Sequence, residues 1–167
     1  MFSKKIYFEQ IRSNTKQTTM GYMPIIVALL GFTLLFSIYI YNQIKPRKAN
    51  ITKTIDRMEE VSRERKQLIL GYHNSNEVSP LAEVAMQLKK TSTDRFQSFN
   101  KEEALIDEIN LAAPQISDKP LSTQIQRLNE EQKQLLRKLR TTSGEYNRFI
   151  ASPANKMVAS LFGFKTF

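Results

Sequence analysis

Gly21 to Ile44 reads GYMPIIVALLGFTLLFSIYIYNQI and contains no charged side chain. Between Pro24 and Tyr41 only Thr33 and Ser37 interrupt the apolar and aromatic residues. About 18 residues at ~1.5 Å each give roughly 27 Å of helix, close to the ~30 Å hydrocarbon core of a bilayer. Thr33 and Ser37 can return their hydroxyl hydrogen bonds to their own helix, so they do not spoil a span. Tyr22, Tyr39 and Tyr41 fall near the two ends, where amphipathic rings settle. The stretch therefore reads as a transmembrane helix over residues 21–44, marked along its length by Pro24, Leu30, Phe36 and Ile40.

Two other readings fit less well. A cleaved signal needs a basic start, which Lys4, Lys5, Arg12 and Lys16 supply, and a small-residue exit site. The exit here is Tyr41-Asn42-Gln43-Ile44-Lys45-Pro46, and the absence of cysteine removes a lipid-modified one. A buried core helix is the remaining alternative, but helices apolar on every face are rare in small domains. Orientation rests on flanking charge. Four Lys/Arg precede the stretch, and Lys45, Arg47, Lys48, Lys53, Arg57 and Arg63 follow it. The count leans toward a cytoplasmic C-terminal part.

The 167 residues divide into a basic tail at 1–20, the span at 21–44 and a domain at 45–167, large enough for one modest core. Of 25 Lys/Arg and 16 Asp/Glu, the tail holds four and one, leaving 21 and 15 beyond it. Lys45, Arg47, Lys48 and Lys53 suit anionic headgroups, at about 1 kcal/mol each. With no cysteine and one histidine, His73, disulfides, thiolate metal sites and cysteine nucleophiles are excluded. The tail reads either as an amphipathic helix on the headgroups or as an unstructured arm.

Beyond residue 45 the apolar residues keep helical spacing. Ile51, Ile55, Met58, Val61, Leu68 and Tyr72 form one stripe, interrupted by Arg65, with Pro46 as a kink or a break before it. Gly71–Ser79 has the composition of a turn. Ser79-Pro80 signals a new helix. Its stripe of Leu81, Val84, Ala85 and Leu88 weakens at Thr91–Asp94 and resumes at Phe96, Phe99, Leu105, Ile106 and Ile109, with a jog or a fresh start at Asn100 favoured by the acids Glu102 and Glu103. Pro114 ends it. From Pro120, Leu121, Ile125, Leu128, Leu135, Leu139, Tyr146 and Ile150 repeat near 3.5 residues, with Gln132 and Thr142 or Ser143 filling gaps. Ser152-Pro153 stops that helix, and Met157–Phe164 suits one more short one. No segment alternates with period two. The predicted class is all-α: the span, then an antiparallel bundle of three long helices and a short C-terminal helix.

No catalytic constellation, phosphate loop or metal-ligand spacing is present, so no enzyme activity and no cofactor are expected. His73 sits in a polar turn and reads as a surface residue. The acid pairs Glu102-Glu103 and Asp107-Glu108 diverge by about 100° on a helix, so neither pair converges on a metal. Lys133, Arg137 and Arg140 share one helical face. That face is a solvated one, or a contact for lipid or an acidic partner. No aromatics are interleaved with it, so nucleic acid is not an expected partner. The apolar ending, Met157 to Phe167, either folds into the core or is exposed for a partner or membrane.

The ending Tyr146-Asn147, Pro153, Leu161-Phe162-Gly163-Phe164 resembles the LemA family, small bacterial membrane proteins with an N-terminal span and a helical bundle. Tyr41-Asn42 is similar to that family's post-membrane YN pair, and Leu68-Ile69 with Gly71-Tyr72 to its LI…GY stretch. The sequence departs from the pattern where the family carries an additional Arg and YN; here Leu136, Leu139 and Arg140 stand in that region. It is also about a heptad shorter between Tyr41 and Tyr72. The resemblance implies a single-pass protein of the bacterial inner membrane, with the bilayer and an envelope protein as partners and no assigned catalytic activity. Two functions are thus expected: a non-enzymatic, membrane-anchored bundle that binds proteins or organises the envelope, or a tethered sensor of anionic lipid or another anion. Nothing in the sequence sets an oligomeric state.

Overall fold

A computed structural model describes residues 3–76, 79–90 and 95–167, with side chains from Tyr22 onward. The tail is helical from Ser3 as the start of α1, not an unstructured arm; its side chains, like the weakened Thr91–Asp94 stretch, lie outside the described residues. The elements are α1 (Ser3–Ser75), α2 (Ala82–Lys90), α3 (Phe99–Ala112), a 3-10 turn (Ala113–Gln115), α4 (Lys119–Ala151) and α5 (Pro153–Leu161). No strand occurs among the described residues. The middle of the chain contains two helices, the second starting near Asn100 where the sequence left a jog or a fresh start open. Ser98 makes the second start by accepting a hydrogen bond from the Lys101 N–H at 3.3 Å.

α1 runs unbroken through Pro24 and Pro46. A proline removes one N–H and crowds the preceding turn, a penalty of ~3 kcal/mol in a helix interior. At Pro46 packing on both sides opposes it: Ile44 and Ile51 are both fully buried. Pro46 itself is exposed, so the freed Asn42 carbonyl faces outward. The buried side chains of α1 are Ile40, Ile44, Ile51, Thr54, Met58, Val61, Arg65 and Ile69. Their steps of three, four and seven form a heptad-like seam. That seam begins inside the apolar stretch rather than after it.

Above Ile40, towards Tyr22, the stretch is uncovered. Only 6 % of its most apolar 18-residue window is buried. Within it Thr33 donates to the Leu29 carbonyl and Ser37 to the Thr33 carbonyl, each at 2.8 Å. Among the described residues α1 is the one helix long and apolar enough to cross a membrane.

α4 supplies the opposing seam: Ile125, Leu128, Asn129, Gln132, Leu136, Leu139, Ser143, Tyr146 and Ile150. Asp118 caps it, accepting from the Leu121 N–H at 3.1 Å. Cross-contacts track the two helices past each other: Arg65 meets Asn129, Arg57 meets Glu131, and Arg47 lies over Phe149. Two buried clusters result. The distal one joins Ile69, Leu81, Val84, Ala85, Ile109, Ile116 and Ile125. The other runs from Ile40 and Ile44 through Met58 and Leu139 to Val158 and Ala159 of α5.

Candidate functional site

The distal end carries a buried polar network. Arg65 is 1 % exposed, in the stripe it was expected to interrupt. Its Nη1 donates to Asn129 Oδ1 at 2.6 Å and its Nη2 to Glu102 Oε1 at 2.8 Å. Gln132 Nε2 donates to the same Glu102 oxygen at 2.9 Å. Asn129 Nδ2 donates to the Ile106 carbonyl and to Asn110 Oδ1, both at 2.8 Å. Burial pushes the Arg65 guanidinium below its ordinary value, and the charge and hydrogen bond of Glu102 oppose the shift. Gln132 Oε1 is left without a partner among the described residues, but the other bonds clamp α1, α3 and α4 together. Glu102, in the first turn of α3, belongs to this clamp. His73, expected at the surface, is half-buried, and its Nδ1 has no hydrogen-bond partner among the described residues. Among the described residues no three His, Asp or Glu side chains gather to hold a metal.

The other end of the seam is where the predicted site residues meet. Ser152 leaves the helical conformation after α4, and Pro153 opens α5. α5 closes on Gly163, whose φ of 69° is left-handed. The Phe164 N–H donates to the Ala159 carbonyl at 2.8 Å and the Gly163 N–H to the Ser160 carbonyl at 3.3 Å. This is a Schellman ending, and glycine supplies its left-handed residue without a Cβ penalty. It turns the chain back so that Phe162 and Phe164 both reach Tyr41, with ring centroids 4.9 and 5.8 Å away.

Tyr146 and Asn147 then hold the segment that follows. The buried Tyr146 hydroxyl donates to the Lys165 carbonyl at 3.1 Å. Asn147 Nδ2 donates to the Phe167 carbonyl, and its Oδ1 accepts from the Phe167 N–H, both at 3.0 Å. Phe167 also meets the Tyr146 ring edge-on at 5.7 Å. Burial raises the Tyr146 phenol above its usual value. Arg47 stacks over Phe149 at 4.5 Å and Lys48 over Phe164 at 5.6 Å.

Of the residues that carried the resemblance, Tyr41, Tyr146, Asn147, Pro153, Phe162, Gly163 and Phe164 thus lie in one neighbourhood. Leu161 is there too, but faces outward. Asn42 is exposed, and Gly71 and Tyr72 lie at the far end of α1. In the apolar stretch Pro24 and Leu30 are exposed, Phe36 is half-buried and Ile40 is buried.

The basic residues separate into two groups. Lys45 is exposed, Arg47 and Lys48 sit on the aromatic rings, and exposed Arg148 adjoins Phe149 while exposed Lys156 and Lys165 line a recess with Phe164. Sequence reading missed those last three because their positions depend on α4 and α5 returning to α1. Lys53 is exposed further along α1. Lys133, Arg137 and Arg140 stand apart. Glu131 pairs with Arg57, about 24 Å of helix beyond Tyr41, and Lys133 lies in the next half-turn. For Lys133 that distance is about three times the ~8 Å Debye length at physiological salt, whereas Arg137 and Arg140 follow along α4 toward the end that carries Tyr146. Arg140 is engaged within the chain, with Glu103 at 2.9 Å and the Phe99 ring at 5.0 Å. No protein-family model, curated protein or solved structure matches the chain.

Proposed function

We propose that the protein is a non-enzymatic, single-pass membrane protein of the bacterial inner membrane and of the LemA type. Residues 45–167 form an antiparallel bundle that engages other envelope proteins. The observation that carries this reading is the continuity of α1: one helix contains the apolar stretch and half of the seam that α4 closes. The contacts Arg47 to Phe149, Arg57 to Glu131 and Arg65 to Asn129 support the antiparallel assignment. Lys45, Arg47 and Lys48, with Arg148, Lys156 and Lys165, suit an anionic headgroup layer at the end of the span. Flanking charge favours a cytoplasmic bundle. The distal surface offers exposed Met86 and Leu111 for a protein contact. Lipid sensing by Lys133, Arg137 and Arg140 as one face is not favoured: Lys133 stands far from Tyr41, and Arg140 is held by Glu103 and the Phe99 ring.

Two measurements test the proposal. The full chain is expected to stay with membranes through an alkaline carbonate wash, and photocrosslinkers at Met86 and Leu111 are expected to give a discrete protein adduct in cells. Release by carbonate defeats the span. Retention without any protein adduct defeats the partner-binding role. Protease protection in inverted vesicles reads the side.

A further inference from the structure

We propose that α5 is a second membrane contact, embedded in the headgroup and acyl boundary beside the span. It rests on the reading of Tyr22–Tyr41 as the bilayer-crossing part of α1. Those 20 or so residues give about 30 Å of helix, which matches the hydrocarbon thickness and places its edge at Tyr41. Phe162 and Phe164 pack on that tyrosine ring. Val158 and Ala159 of α5 share a buried cluster with Ile40, and Phe36 packs against it. Phe36 lies five residues before Tyr41, about 7 Å deeper along the helix. The C-terminal end of α5 therefore packs where the apolar run ends, at Tyr41.

The outer face of α5 suits that depth. Met157 and Leu161, four residues apart, share one side of the helix and are 71 % and 77 % exposed; Phe162 beside them is 52 % exposed. No part of the described chain covers them. Lys156, next to Met157, and Lys165, four residues beyond Leu161, are both exposed and line one recess at the margin of α5. Apolar residues on one side with lysines at the margin are the pattern of a helix lying 5–10 Å into the interface. Continuity with the span and the lysine margin identify the occupant as lipid rather than a second protein surface. Two attachment points instead of one would fix the tilt and rotation of the helical body over the bilayer.

The absence of native cysteine makes a direct test simple. Single variants Met157→Cys, Leu161→Cys, Leu30→Cys and Gln126→Cys are made in the full chain, labelled with an environment-sensitive fluorophore and reconstituted in phosphatidylcholine–phosphatidylglycerol vesicles. All four positions are exposed, so the labels leave the core alone; circular dichroism checks the helix content. Quenching by lipids with shallow nitroxides, set against quenching by aqueous iodide, reads depth. The expected result is loss of emission at 157 and 161 with shallow lipid nitroxides and protection from iodide, with 126 showing the reverse. Iodide quenching at 157 and 161, with 30 protected, overturns the α5 proposal and leaves the span intact. Protection from both quenchers at 157 and 161 shows a protein surface covering α5 and also overturns it. Iodide quenching at 30 removes the span reading itself.

Discussion

Tyr146 shows how much one side chain settles at the foot of the helical body. Its ring closes the seam of α4, its edge meets Phe167, and its hydroxyl holds the Lys165 carbonyl. Tyr146→Phe keeps the ring and loses the hydrogen bond, so unfolding in detergent should become easier by about 1 kcal/mol. The phenol is raised above its usual value by burial. A raised acid favours its protonated form in the fold, so its contribution is present below the unfolded value near 10 and fades as pH climbs through the folded one. Denaturant midpoints should therefore fall more steeply above pH ~10 for the wild type than for Tyr146→Phe. Equal slopes would show that the hydroxyl titrates freely. Arg65 gives a different kind of sensitivity. Arg65→Met strands Glu102 half-buried and should destabilise by about 3 kcal/mol. Adding Glu102→Gln should recover much of that loss, because the stranded charge is removed. A double variant no better than the single one would show that shape, not charge, holds the clamp.

Helices α1 and α5 depend on phase and on their endings. Inserting one alanine after Ala49 turns everything before it by about 100° relative to the seam beyond. Ile40, Ile44 and Tyr41 would leave their partners while Ile51 to Ile69 stayed in place. Thermal unfolding should shift down by an amount equivalent to roughly 3–6 kcal/mol, the burial of two isoleucines; an unchanged melt would mean the apolar stretch does not share the core. At α5, Gly163→Ala meets open space, so its whole effect is the left-handed φ, about 1–2 kcal/mol. Fluorescence of Tyr41 in that variant should report the loss of Phe162 and Phe164.

Much of this element pattern is legible in the sequence. Ser79-Pro80, Pro120 and Ser152-Pro153 mark helix starts and stops through local chemistry, and Met58, Val61, Leu128 and Leu139 mark the seam through spacing. What escapes is long-range. Arg65 looks like an interruption because its partner Glu102 lies 37 residues away. Pro46 leaves kink and break open, because local rules carry the penalty but not the opposing burial of Ile44 and Ile51. The docking of Phe162 on Tyr41 joins residues from opposite ends of the chain, which no periodicity encodes.

Cutting the chain tests how far the body extends. A fragment from Lys45 to Phe167 keeps α2 to α4 intact but loses Ile40, Ile44 and Tyr41 from the cluster that holds α5. It should melt lower and self-associate in sedimentation, because the rings of Phe162 and Phe164 lose their cover. A fragment from Phe36 should be the more stable and the less associated of the two. Equal behaviour would place the boundary of the body at Lys45, as the composition alone suggests.

The unbroken course of α1 also sets a distance. From Tyr41 to Ser75 the helix rises about 50 Å. With the apolar stretch in a bilayer as proposed, the end that carries Tyr72, His73 and α2 would be held at a fixed standoff from it, much as a mast holds its head clear of the deck. On that proposal, anything bound there would either stand as tall or hang from the same membrane on an equal reach. A partner confined to the headgroup layer could meet only the foot.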